Sequence, residues 1–142
     1  MNPLWSPRGD LIAFVQFPQK GETSHIWIMD PQGGNKAQLT TDNTGHSTPS
    51  WSPDGEWIIY RCDAGSPHLR RINVDTREVV LLELPARGAD SSPIWSGSEI
   101  VFSSNSDWEG AESIFNLYRM SITGENLTRI TKNESYEYCG DW

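Results

Sequence analysis

Three ionisable side chains share one phase of this sequence: His46, Asp90 and Glu137 each lie five residues ahead of a tryptophan, Trp51, Trp95 and Trp142. Imidazole nitrogen and carboxylate oxygen are donors for a borderline divalent cation, so two copies of the set would offer a ring of two histidines and four carboxylates. The competing expectation is plainer: acidic and imidazole groups at a repeated position line a wet channel and hold water or a loose cation. Nucleophilic catalysis needs a serine or cysteine beside a histidine that a third group orients, and the imidazoles on hand are His25, His46 and His68. His25 and His68 open equivalent segments, HIWIMD and HLRRINV, so repetition of structure explains them better than a triad does. There is no G-x-S-x-G nucleophile elbow. The expectation is a protein that is not an enzyme and carries no cofactor, a divalent cation in the channel being the alternative.

The elements that position these residues come from a repeat. Pro3-Leu4-Trp5-Ser6-Pro7-Arg8-Gly9-Asp10, Pro49-Ser50-Trp51-Ser52-Pro53-Asp54-Gly55-Glu56 and Pro93-Ile94-Trp95-Ser96-Gly97 are copies of one unit, and Gly140-Asp141-Trp142 begins another. Each tryptophan is followed by three short runs with strand character: LIAFVQ, HIWIMD and AQLT; WIIYRC, HLRRINV and VVLLEL; EIVFSS, NLYRMSI and TRIT. Adding the segment that carries the tryptophan makes four strands in roughly 45 residues, the size of a propeller blade. Proline pre-sets φ for the turn, Asp54 can accept from the backbone beyond it, and Gly55 supplies a positive φ. Arg8-Gly9-Asp10 spells an adhesion tripeptide, but it occupies this same turn.

The segment from Pro49 to Tyr60, P-x-W-S-P-D-G-x-W-I-x-Y, together with I-W-I-M-D-P-Q-G-G-N-x-x-Q-L-T from Ile26 to Thr40, resembles the TolB-type, WD40-like PD40 repeat. The resemblance runs over essentially the whole chain; the third copy departs from it, lacking Pro-Asp after Trp95-Ser96 and carrying an insertion from Asn105 to Ile114. It implies an all-β fold of four-stranded antiparallel blades, three per chain, where TolB-like propellers usually have six. The units fall at about 5–48, 49–92 and 93–134, with 135–142 as the inner strand of a further blade.

Three blades make an open arc whose end faces are apolar, and such faces call for a partner. The chain enters and leaves the repeat at the same phase, so a head-to-tail homodimer that swaps its C-terminal strand would close a six-bladed ring; Trp5, Tyr136, Tyr138 and Trp142 are the assembly residues of that scheme. A trimmed piece of a longer propeller accounts for the same pattern. The function expected is a non-enzymatic scaffold for a protein or peptide, with Asp107, Trp108 and Glu109 of the acidic, aromatic insertion as loop recognition residues. The alternatives are a metal-dependent carbohydrate or phosphate binder or enzyme using the channel ring, and the accessory propeller of a peptidase.

Composition sets the outer bounds. With 11 Lys+Arg against 19 Asp+Glu the net charge is −8, and the pI near 4.7 argues against nucleic acid and polybasic membrane contact. No apolar run is long enough to insert in a membrane, and Met1 leads directly into the repeat without an export signal. The chain as written is therefore expected in the cytoplasm, whereas the family resemblance implies the periplasm for an excised fragment. Cys62 and Cys139 lack CxxC spacing, which excludes a zinc knuckle and leaves two reduced thiols as the expectation.

Overall fold

The structure, a computed structural model, describes residues 3–17, 22–65, 68–84, 89–105 and 114–132. Twelve strands fill these segments: β1 (Leu4–Trp5), β2 (Ile12–Gln16), β3 (His25–Met29), β4 (Ala37–Gln38), β5 (His46–Trp51), β6 (Trp57–Cys62), β7 (His68–Asn73), β8 (Val79–Leu81), β9 (Asp90–Ser96), β10 (Glu99–Ser104), β11 (Asn116–Ser121) and β12 (Thr128–Arg129). They form three four-stranded antiparallel sheets, β1 to β4, β5 to β8 and β9 to β12, each laid out in chain order. The repeat thus becomes three blades. The limits read from the Pro-x-Trp motif, 48/49 and 92/93, fall inside β5 and β9, because the inner strands start earlier, at His46 and Asp90. The outer strands β4 and β12 are only two residues long.

Register repeats as faithfully as sequence. Trp5 pairs with Ile12, Trp51 with Ile58 and Trp95 with Ile100. The Ser-Pro-x-Gly turns close the first two hairpins: Gly9 N donates to Ser6 O and Gly55 N to Ser52 O, both at 2.9 Å. Asp54 Oδ1 accepts from the Ser52 hydroxyl and from the Glu56 amide, while Gly55 sits at φ 70°. The third hairpin, without Pro-Asp, pairs Ser96 with Glu99 across a two-residue turn led by Gly97 at φ 56°. Proline cannot donate to a ladder, so within a sheet it is confined to edge strands and bulges, and Pro49 and Pro93 lie in the inner strands at the sheet edge. Both inner strands have a bulge there, with the preceding residues, Thr48 and Ser92, each at φ 48°.

Two apolar cores lie at the two blade junctions. Ala13, Val15, Ile26 and Ile28 of the first blade meet Trp51, Ile58, Tyr60 and Cys62 of the second. Ile59 and Leu69, on the other face of the second blade, meet Ile100, Phe102, Tyr118 and Met120 of the third. Strand β6 therefore buries side chains on both faces, which explains its nearly unbroken apolar run WIIYRC. Trp51 fills the first junction at 8% exposure and donates its indole N–H to the Leu4 carbonyl at 3.1 Å. Trp5, its counterpart one blade earlier, is 59% exposed.

Candidate functional site

The polar chemistry of the chain gathers where the inner strands begin. His46 opens β5 opposite Cys62 at the end of β6, and Asp90 opens β9 opposite Ser104 at the end of β10. Both side chains are buried, His46 completely and Asp90 at 3% exposure. His25 and His68 open β3 and β7, as their shared phase implied, and each faces the inner strand of the following blade. The His25 and His46 rings lie 5.5 Å apart, and His68 Nδ1 stands 3.6 Å from Asp90 Oδ2.

At the first junction His46 is held on every side. Its Nδ1 is 3.3 Å from the Ser24 carbonyl, its Nε2 is 3.0 Å from Asp42 Oδ1 and 3.3 Å from the Thr44 hydroxyl, and Tyr60 meets the ring edge-on at 5.3 Å. The Thr44 hydroxyl is also 3.3 Å from Cys62 Sγ and bonds Asp42 Oδ1. Donor atoms of Asp42, His46 and Cys62 all lie within 4.8 Å of one another. Burial holds the His46 imidazole below its ordinary pKa against the opposing pull of Asp42. Burial would raise the Asp42 carboxyl, but the Thr44 hydrogen bonds, His46 and Arg70 outweigh it and keep it below the usual range. Arg70 reaches the other oxygen, Asp42 Oδ2, at 3.0 Å.

The second junction has different chemistry at the same place. Burial raises the Asp90 carboxyl, and hydrogen bonds from Ser104 and His68 with the His68 and Arg61 charges only partly offset it. Arg61 itself is tied to Asp63 at 2.8 Å and reaches Ser91 at 3.5 Å. His46 and Asp90 thus head two separate clusters, one at each junction. Glu137, the third residue of that phase, lies outside the described residues, as do the assembly residues Tyr136, Tyr138 and Trp142 and the loop residues Asp107, Trp108 and Glu109. Asp42, Thr44 and Cys62 were not among the sequence candidates. The Asp42-Thr44-Cys62 cluster does not build a nucleophile: the Cys62 thiol is 1% exposed, and both ring nitrogens of His46 face acceptors.

Three four-stranded blades with a tryptophan at the end of the inner strand, repeated register and apolar cores between blades are a β-propeller arrangement, and the sequence model of the TolB β-propeller domain matches residues 1–142. The chain belongs to the TolB β-propeller family. Over 131 residues it is 32% identical to the Tol-Pal system protein TolB of Francisella tularensis subsp. mediasiatica, covering 86% of this chain and 29% of that TolB. It is 36% identical over 77 residues to the uncharacterized peptidase YuxL of Bacillus subtilis strain 168, covering 54% of this chain and 11% of YuxL. The crystal structure of TolB from Acinetobacter baumannii superposes with a TM-score of 0.78 at 23% identity, over 96% of this chain and 33% of that one. This chain therefore spans less than a third of the length of the TolB and YuxL relatives. Among the described residues no helix is long and apolar enough to cross a membrane.

Proposed function

We propose that this TolB-like chain is a protein-interaction scaffold without catalytic activity, and that its three blades act as half of a six-bladed ring completed by a second copy. The observation that carries the proposal is the contrast between two equivalent tryptophans. Trp51 is seated against the preceding blade and bonded to its Leu4 carbonyl, whereas Trp5 presents the same surface at 59% exposure. Beside it, the outer face of the first blade carries Phe14 and Trp27 under the Lys36 ammonium, 5.3 and 5.1 Å from the two ring centres. A blade packed there would cover Trp5 and the half-buried Trp27 as the second blade covers Ile26 and Ile28, Phe14 being already buried at 9% exposure. In the family resemblance the finished ring belongs to the periplasm, and that is the compartment we assign to the complete protein.

The test is sedimentation velocity on the chain and on Trp5→Arg. Concentration-dependent association in the parent, weakened at least tenfold in the variant with unchanged circular dichroism, supports the ring. Equal association of the two would overturn it. A second reading, the accessory propeller of a peptidase, draws on the YuxL identity. It predicts instead a chain that stays monomeric at all concentrations and binds a separately expressed hydrolase domain.

A further inference from the structure

We propose that Asp42, His46 and Cys62 bind a zinc ion at the junction of the first and second blades. One carboxylate oxygen, one imidazole nitrogen and one sulfur, all within 4.8 Å, make a mixed O, N, S set. Around tetrahedral zinc such donors stand about 3–4 Å apart, given bonds of about 2.0–2.3 Å, so a small contraction brings them into range. Sulfur with imidazole selects zinc over magnesium or calcium, which take oxygen shells.

The proton count at His46 points the same way. Its Nδ1 faces the Ser24 carbonyl and its Nε2 faces the Asp42 carboxylate, and both partners are acceptors. A neutral ring has one N–H and satisfies one of them. A metal ion on Nε2 with the proton on Nδ1 satisfies both without charging the ring. A backbone carbonyl on the far nitrogen is the usual way a ligand histidine is oriented.

The Thr44 hydroxyl marks the point on which the three donors converge, touching Asp42 Oδ1, His46 Nε2 and Cys62 Sγ. It donates its one proton to the Asp42 carboxylate, with His46 Nε2 and Cys62 Sγ both 3.3 Å away; a χ1 rotation clears the point or turns the oxygen into a fourth ligand. An ion would enter past Asp42, whose side chain is 46% exposed, while Arg70 holds the outer carboxylate oxygen. The site differs from the ring of His46, Asp90 and Glu137 expected from the sequence: it keeps His46 and takes its other ligands from within the first junction. It is independent of how the propeller closes.

Cobalt(II), which adopts zinc-like geometry and reports thiolate ligation by a charge-transfer band, is the probe. The full chain carrying Cys139→Ser, so that Cys62 is its remaining thiol, is stripped with chelator and titrated. The expected result is one cobalt per chain with a thiolate charge-transfer band, bleached by zinc and absent in the added variant Cys62→Ala. Asp42→Asn, at the exposed edge of the site, should weaken binding at least tenfold with unchanged circular dichroism, which decides the matter even where Cys62→Ala does not fold. No band at stoichiometric cobalt, a band that survives Cys62→Ala, or unchanged affinity in Asp42→Asn would overturn the proposal.

Discussion

Asp90 is a carboxylate kept where water is scarce, and its environment states what replacing it should do. Its pKa is raised in the folded chain by burial, with Ser104, His68 and Arg61 compensating only in part. A group with a raised folded pKa contributes stability below its unfolded value, and that contribution is lost as pH climbs through the folded value. At neutral pH the ionised Asp90 therefore opposes folding. Asp90→Asn, which keeps the shape and removes the charge while exchanging one acceptor oxygen for an NH2 donor, is expected to raise the melting temperature by a few degrees at pH 7. The gain should shrink as the pH falls and vanish below about pH 4, where Asp90 is protonated in both states. Thermal denaturation of both proteins over that range checks it; a lower melting temperature for Asp90→Asn at pH 7 would mean that the contact with His68 outweighs the burial. His46 and Asp90 share one position of the repeat, yet one meets a carboxylate and a thiol and the other a histidine and a serine. The repeat fixes where the side chains sit, and the neighbouring strands fix what they can do.

Among the elements, the inner hairpin is the part of each blade that tolerates change least. Gly55 lies at φ 70°, and a Cβ there would come within 3.1 Å of Arg8 Cγ. The Arg8 side chain links the turns of the first two blades, donating from Nε to the Asp54 carbonyl and standing 3.2 Å from Glu56. Gly55→Ala should thus cost about 1–2 kcal/mol through backbone strain and the displaced arginine, measurable by urea unfolding. Trp51→Ala, by emptying the space between blades and removing the bond to Leu4, should cost about 3–5 kcal/mol. A loss under about 1 kcal/mol would mean that the indole does not carry the junction. These features were legible in the sequence, because Trp-Ser-Pro-Asp-Gly names its own turn and the apolar runs name their own strands. The Asp42-His46-Cys62 cluster was not. Counting register back from Trp51 and Ile58 without a bulge pairs His46 with Asp63; the bulge at Pro49 shifts the pairing to Cys62. Proline inside a strand was the available signal for that shift. Asp42 and Ser24 come from the first blade, before β5, and no local pattern tells which residues of one blade meet the next.

For the molecule as a whole, the two buried junctions and the exposed Trp5 beside the first blade's outer face define the problem. Alternation along β2 and β3 sends Ala13, Val15, Ile26 and Ile28 into the first core and leaves Phe14 and Trp27 on the opposite side, with Trp5 at 59% exposure beside them. A six-bladed ring would turn this outer face into a third kind of junction and give Trp5 the environment that Trp51 already has. Two copies at −8 each repel one another, so the apolar contact has to outweigh that charge for such a ring to close. The direct test is absolute mass by light scattering behind size exclusion at several concentrations. A stable species of twice 16.0 kDa, dissociating on dilution, is the predicted result. A 16.0 kDa species at every concentration would contradict closure by a second copy and leave the first blade's outer face to a different partner.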